Sequence, residues 1–262
     1  DRKLEPILAD TKGNPDGGRA AIRTLIQTDS VPVIGGGFSS SATWATGAVA
    51  QQRRIPFVVT SALADKITEQ GWEYVFRLNQ PLGEHLEALA TFIPTMAADI
   101  KSVAILHATS LRNAAAARRF FKISASLSLE LVIRERFESS ADNLSATLAR
   151  VQAKNPDLIY AITDDASSAA LLVRQSRALK LNPKLFVGEG NGFDHSDFIL
   201  QAGKASNHIV NTALWTPLLP HPGAAAFNQK FIDRYKTPPG RYGAEAYVGM
   251  MVIAGALKRA RQ

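Results

Sequence analysis

Short apolar runs alternate with helix-length amphipathic segments along nearly the whole chain, and this alternation most restricts what the chain can fold into. Residues 4–9, 31–34, 55–59, 103–107, 129–135, 158–162 and 185–187 read as strands. The segments 17–27, 40–53, 86–98, 113–122, 144–153 and 166–179 separate them and read as helices. In 17–27, for example, Ala20, Ile22, Leu25 and Ile26 share one face at the helical period. Buried strands joined by helices predict parallel sheets wound by right-handed crossovers, an α/β architecture.

The rhythm breaks twice. Phe76-Arg77-Leu78-Asn79-Gln80-Pro81 leaves the first strand-helix set, and Trp215-Thr216-Pro217-Leu218-Leu219-Pro220-His221-Pro222 leaves the second. Proline-rich extended segments continue neither a helix nor a central strand, so they suit connections between lobes. Two further helices follow, over 224–235 and 243–259. The expected division is lobe one over 1–78 and 218–262, lobe two over 82–214, and hinge crossings at 79–81 and 215–217.

Composition removes several functions. The 262 residues contain no cysteine, so disulfides, zinc-thiolate sites and thiol catalysis are excluded. That absence fits an exported bacterial protein. No apolar run has the roughly 18 residues of a membrane span, so direct membrane insertion is not expected. Asp1-Arg2-Lys3-Leu4-Glu5-Pro6 lacks the apolar stretch of a secretory signal, which was either removed or never present. The net charge is +7, yet the basic residues are dispersed and not interleaved with aromatics, which argues against a nucleic-acid partner.

Enzyme motifs are also missing. The histidines, His85, His107, His195, His208 and His221, show no paired metal-ligand spacing, and there is no Gly-x-Ser-x-Gly elbow. Gly188-Glu189-Gly190-Asn191-Gly192 lacks the full dinucleotide spacing, and no Gly-Lys-Ser/Thr follows Gly35-Gly36-Gly37. A hydrolase built from Ser39, His107 and Asp164 or Asp165 would need three roles brought together in space. No enzyme activity, metal or cofactor is expected.

Polar residues at strand ends are the candidates for binding. Gly35-Gly36-Gly37-Phe38-Ser39-Ser40-Ser41 turns from a buried strand into a helix, leaving outward N–H groups at the positive end of the helix dipole. Such a turn suits a carboxylate, or the serines simply cap the helix. Thr60-Ser61-Ala62-Leu63 follows the next strand, where α/β lobes gather ligands, or is a plain loop. Arg112 either forks onto a carboxylate or lies in solvent. Asp164 and Asp165 face the same strand ends and read best as a cap for the helix at 166. Glu189, between two glycines, is either a partner for a cation or a solvated turn. Trp44 floors a pocket or belongs to the core, and Tyr242 is open in the same way.

Several segments taken together resemble one family. These are Leu8-Ala9-Asp10-Thr11-Lys12-Gly13-Asn14-Pro15, Val33-Ile34-Gly35-Gly36-Gly37-Phe38-Ser39-Ser40-Ser41, Ile55-Pro56-Phe57-Val58-Val59, Tyr74-Val75-Phe76-Arg77, Asn155-Pro156-Asp157-Leu158-Ile159-Tyr160 and Arg174-Gln175-Ser176-Arg177-Ala178-Leu179. In this order they are similar to type I periplasmic binding proteins of the leucine/isoleucine/valine-binding kind. The resemblance implies two Rossmann-like lobes that close on a small molecule in the interlobe cleft, and a membrane ABC permease as partner outside the cytoplasm, in the periplasm. It also implies one more strand and helix before this segment and a continuation beyond it, so that the sequence reads as truncated at both ends.

The resemblance further implies that Ser39, with Ser40 beside it, contacts a ligand carboxylate, and that backbone groups of Ser61 and Leu63, with Ala62 between them, meet the ligand's carboxylate and ammonium. Glu189 would pair with an ammonium and Tyr242 would pack on the ligand, while Arg112 stands where relatives place an aromatic. Amino-acid receptors commonly have threonine at the position of Leu63, and that departure favours a more apolar ligand. The expected ligand is a small carboxylate-bearing compound, either a hydrophobic amino acid or an aromatic or aliphatic acid. A ligand-sensing regulator or sensor domain of the same fold is the alternative.

Overall fold

A computed structural model describes residues 3–96 and 99–260. The chain divides into two compact units, Asp1–Leu82 with Leu214–Gln262, and Gly83–Ala213. In chain order, unit 1 begins with α1 (Pro15–Gln27), β1 (Ile34–Gly36), α2 (Ser40–Arg53), β2 (Phe57–Val59) and β3 (Val75–Arg77). Next come α3 (Leu82–Met96), β4 (Ser102–Ala108), α4 (Leu111–Ser126), β5 (Glu130–Phe137), α5 (Ser145–Ala153) and β6 (Leu158–Ile162). Unit 2 ends with α6 (Ala166–Ala178), β7 (Leu185–Glu189), α7 (Asn191–Asp194), α8 (Ser196–Ala202) and β8 (Ile209–Asn211). The returning segment of unit 1 carries α9 (Ala224–Tyr235) and α10 (Arg241–Arg259).

In unit 1 the three strands form a parallel sheet in the order β1-β2-β3, with Phe57 opposite both Ile34 and Val75. Helix α1 starts where expected. Pro15 has a fixed φ suited to the first turn, and the Asn14 side chain accepts the Gly17 N–H at 2.9 Å. Ile22, Val49, Phe57, Val59, Ile67 and Val75 make the core, with Trp44 and Trp72 packed against it.

Residues 4–9 are not the expected strand. They belong to no regular element and are exposed, with Leu8 93 % accessible. Apolar content alone does not make a strand. Its N–H and C=O groups need a neighbour, and no described strand pairs with this segment; Ala9, Asp10 and Thr11 line a cavity of about 270 Å³ together with β1.

Unit 2 contains a five-stranded, wholly parallel sheet in the order β5-β4-β6-β7-β8. The central strands β6 and β7 are buried throughout, which explains their continuous apolar sequence, whereas the edge strand β5 alternates in exposure. At the amino ends of the strands one side chain does the stapling. Asp157 accepts the Lys101 N–H at 2.9 Å and the Ser102 N–H at 3.2 Å, and pairs with Lys184 Nζ at 3.0 Å.

Several boundaries differ from expectation. Helix α3 begins one turn early, at Leu82, and the expected end at Ala98 lies outside the described residues. β3 forms within what reads as a crossover, and β8, α7 and α8 are additional. Each three-residue strand is too short to carry a period.

Candidate functional site

The strand order in unit 2 reverses between β4 and β6, the point in an α/β sheet where the loops after the strands diverge and ligands gather. Arg112 and Asn113 follow β4, Asp164 and Asp165 follow β6, and Glu189 ends β7. The structure brings Arg112, Asp164 and Glu189 into one cluster. Arg112 Nη2 donates to Glu189 Oε1 at 3.0 Å, and its Nη1 donates to Asp164 Oδ1 at 3.3 Å and Asn113 Oδ1 at 3.2 Å. Asn113, fully buried, turns its amide nitrogen to Asp164 Oδ2 at 2.9 Å.

Glu189 is therefore no solvated turn: its side chain is 1 % exposed, against 30 % for Arg112. Burial works against the Arg112 charge, but Glu189 and Asp164 more than offset it and hold the guanidinium's pKa above its ordinary value. Burial, reinforced by the neighbouring Glu189 carboxylate, pushes the Tyr160 phenol well up, so it stays protonated. The Tyr160 ring stacks on Phe120 at 3.6 Å beneath this cluster.

Gly190 makes the cluster sterically feasible. Its φ of 94° and ψ of 177° belong to a region reserved for glycine, and a Cβ there would lie 2.7 Å from Arg112 Nη1 and overlap the Thr163 carbonyl oxygen.

Asp165 takes the capping role. Its two oxygens accept the Ser168 N–H at 2.8 Å and the Ser168 hydroxyl at 2.7 Å, which opens α6. His107 is a core histidine, 4 % exposed, with Nδ1 bonded to the Ala108 carbonyl at 3.2 Å and Nε2 3.4 Å from Arg134. Burial, with Arg134 and Arg136 nearby, lowers its pKa and keeps the ring neutral.

Unit 1 has its own strand-end surface. Gly37, at φ 98°, lets β1 turn towards α2, because a Cβ there would press on Thr43 Oγ1 at 2.8 Å. Ser39 is the cap of α2: its hydroxyl lies 3.5 Å from the Ala42 N–H and 3.1 Å from the Ser41 hydroxyl. The Ser40 hydroxyl accepts the Ala64 N–H at 3.2 Å, tying α2 to the segment after β2. The Ser40 and Ser41 N–H groups, in the first turn, have no acceptor among the described residues.

After β2, the Ser61 N–H donates to the Gly37 carbonyl at 3.2 Å, and the Ala62 carbonyl accepts from Arg77 and Asn79, each at 3.2 Å. Leu63 is buried, and its carbonyl accepts the Leu82 N–H at 2.9 Å. Tyr242 packs edge-on to the exposed Phe38 ring, 5.1 Å between centroids, and Arg241 lies over its face. Trp44 contacts Trp72 at 6.0 Å and joins the unit 1 core.

Asn113, Tyr160 and Gly190 escaped the sequence reading. An asparagine three residues after the Ser110 cap, heading an alanine run, was the available signal.

Each unit holds a parallel sheet with polar residues at its strand ends, a fold shared with known proteins. A family described as periplasmic binding protein matches residues 1–262, and the chain belongs to that family. A Leu/Ile/Val-binding protein homolog of Brucella abortus (homolog 7) is 23 % identical over 255 residues, covering 91 % of this chain and 63 % of that protein. The chain thus spans less than two thirds of that relative's length.

Among solved structures, the solute binding protein of an ABC transporter from Rhodopseudomonas palustris, in complex with 3,4-dihydroxybenzoic acid, matches with a TM-score of 0.82 at 22 % identity, covering 98 % of this chain and 70 % of that one. The branched-chain amino acid transporter substrate binding protein of Streptococcus pneumoniae, in complex with isoleucine, also matches with a TM-score of 0.82, at 23 % identity and covering 96 % and 71 %. As its description says, this is a family of binding proteins, not of enzymes. Among the described residues no helix is long and apolar enough to cross a membrane.

Proposed function

We propose that this chain is the ligand-binding part of an ABC transporter's receptor, acting in the periplasm, and that it takes a small carboxylate-bearing solute and passes it unchanged to a membrane permease. The observation that carries this reading is the capped start of α2. There the Ser39 hydroxyl and the unsatisfied N–H groups of Ser40 and Ser41 converge at the positive end of a 14-residue helix, beside the turn after β1. That arrangement offers hydrogen-bond donors and a partial positive charge to an anion. Ser61, Ala62, Leu63 and Tyr242 of unit 1, and Arg112, Asp165 and Glu189 of unit 2, are the further residues proposed for the ligand-facing surfaces, with Asp165 acting through its cap. Relatives with bound isoleucine and with a bound benzoic acid derivative support the ligand's size and its carboxylate.

The test is titration calorimetry with carboxylic acids on wild type and Ser39→Gly. Glycine preserves most of the capping preference and removes the hydroxyl. A fall in affinity of about tenfold, the order of one hydrogen bond to a charged group, is expected. Unchanged affinity removes Ser39 as the anchor.

A further inference from the structure

We infer that unit 2 carries a phosphoryl-oxyanion site of its own, built from Arg118, Arg134 and Arg136 at the sheet edge and independent of the receptor reading above. Strand register places its parts. Arg134 stands opposite Ile105 and Arg136 opposite His107, while Tyr160 stands opposite Ile105 on the other side of β4. Laterally paired residues of a parallel sheet share a face, so Arg134, Arg136, His107 and Tyr160 lie on the same one. Phe120 of α4 stacks on Tyr160, which puts α4 over that face as well. β5 is an edge strand, and there Arg134 and Arg136 are exposed, as is Arg118 on α4.

The three guanidiniums surround one buried ring. The His107 Nδ1–H donates to the Ala108 carbonyl at 3.2 Å, so Nε2 is left to accept from Arg134 Nη2 at 3.4 Å. Burial first, and then the charges of Arg134, Arg136 and Arg118, lower the His107 pKa, so all three lie within Coulombic reach of it. A neutral histidine offers them no counter-charge.

Acids supply little more. Among the described residues none of the three arginines is paired with a carboxylate. Helix α4 contains Arg112, Arg118, Arg119 and Lys122 but neither Asp nor Glu. On β5, Glu135 alternates to the other face, where Arg150 holds both its oxygens at 2.8 Å. Glu130 stands at the far end of the strand, opposite Ser102. Glu138, two residues beyond Arg136, accepts the Thr109 hydroxyl. Even with Glu138 counted, the cluster keeps an excess of about two positive charges. A carboxylate would answer one of them, whereas a phosphoryl group brings three oxygens and a charge of about −1.5 to −2. Guanidiniums fork onto such oxygens in pairs. Arg134 and Arg136, about 7 Å apart along the strand, can grip the group from the sheet and Arg118 from the helix. Arginines that serve only to keep an edge strand from pairing with another need no anion and would bind none.

The test is calorimetric titration of sodium pyrophosphate into the full chain at low ionic strength, where exposed charges are least screened. Arg134→Gln combined with Arg136→Gln should weaken binding at least about tenfold. Arg53→Gln combined with Lys258→Gln removes the same charge from unit 1 and should leave affinity unchanged. In nuclear magnetic resonance spectra, pyrophosphate should shift the His107 ring signals and leave those of His195, at the cap of α8, in place. Inorganic phosphate, and vesicles of phosphatidylglycerol against phosphatidylcholine, tell a free anion from a lipid headgroup; binding of either that depends on the two strand arginines supports the site. No binding in any arm, equal weakening in both double variants, or citrate bound as tightly as pyrophosphate overturns it. Circular dichroism checks folding, and if the strand variant does not fold, Arg118→Gln on the helix surface, expected to weaken binding, replaces it.

Discussion

Replacing Gly190 with alanine probes how Arg112 is seated against Glu189 and Asp164. The backbone at φ 94° and ψ 177° costs a residue with a side chain about 1–3 kcal/mol. The added methyl would also sit 2.7 Å from Arg112 Nη1. The guanidinium, 30 % exposed, can swing outwards, but Glu189, 1 % exposed, then loses its cation. Breaking a fully buried pair costs about 3–5 kcal/mol, and with one partner partly solvated a figure of about 2 kcal/mol is reasonable. The sum, about 3–5 kcal/mol, is a large share of a domain's stability.

Urea denaturation followed by far-ultraviolet circular dichroism measures it, because Trp44, Trp72 and Trp215 all lie in unit 1 and would miss the unfolding of unit 2. In an Arg112→Met background the cost of Gly190→Ala should drop to the part owed to the backbone and to the Thr163 carbonyl, which the added methyl overlaps in either background. A loss below about 1 kcal/mol, or full additivity of the two substitutions, refutes the claim that Gly190 exists to seat Arg112.

Two other consequences concern the same unit. Phe120→Ala, which removes the ring stacked on Tyr160 in a fully buried position, should cost about 3–5 kcal/mol and be visible as a lowered thermal midpoint; a change within error would mean the stack is not packed as described. His107 titrates below its ordinary 6.5 in the folded state, so the unfolded chain binds its proton first, and stability present above pH 6.5 falls as pH drops through the folded value. Urea midpoints from about pH 8 to about pH 5 should therefore decrease, with a shallower slope in His107→Gln; a flat or rising profile contradicts the buried neutral ring. At lower pH, Glu135, held down by Arg150, and Asp157, held down by the Lys101 N–H, should extend the loss below 4.5 and 3.8.

The elements that could be read in the sequence were those whose local pattern and tertiary role coincide. β6 and β7 are buried on both faces, so their apolar runs are unbroken, and α2 has both a capping serine and a left-handed Arg54 at its end. Residues 4–9 show the limit: their composition suits a strand, but strand formation depends on a partner that no local pattern reports. The proposed binding residues could be named from the sequence as polar groups at strand ends, because α/β topology gathers ligands there. Their pairings were not. Whether Glu189 meets solvent or Arg112 depends on a contact 77 positions away in sequence, and the role of Gly190 becomes visible only when that contact is in view.

The most direct test of the central claim is calorimetric titration of the full chain with a small carboxylic acid, followed by recovery of that acid and its identification by nuclear magnetic resonance. A receptor saturates at one ligand per chain and returns the acid chemically unchanged. Conversion of the acid, or no heat from carboxylic acids, amino acids and amides alike, would contradict the account.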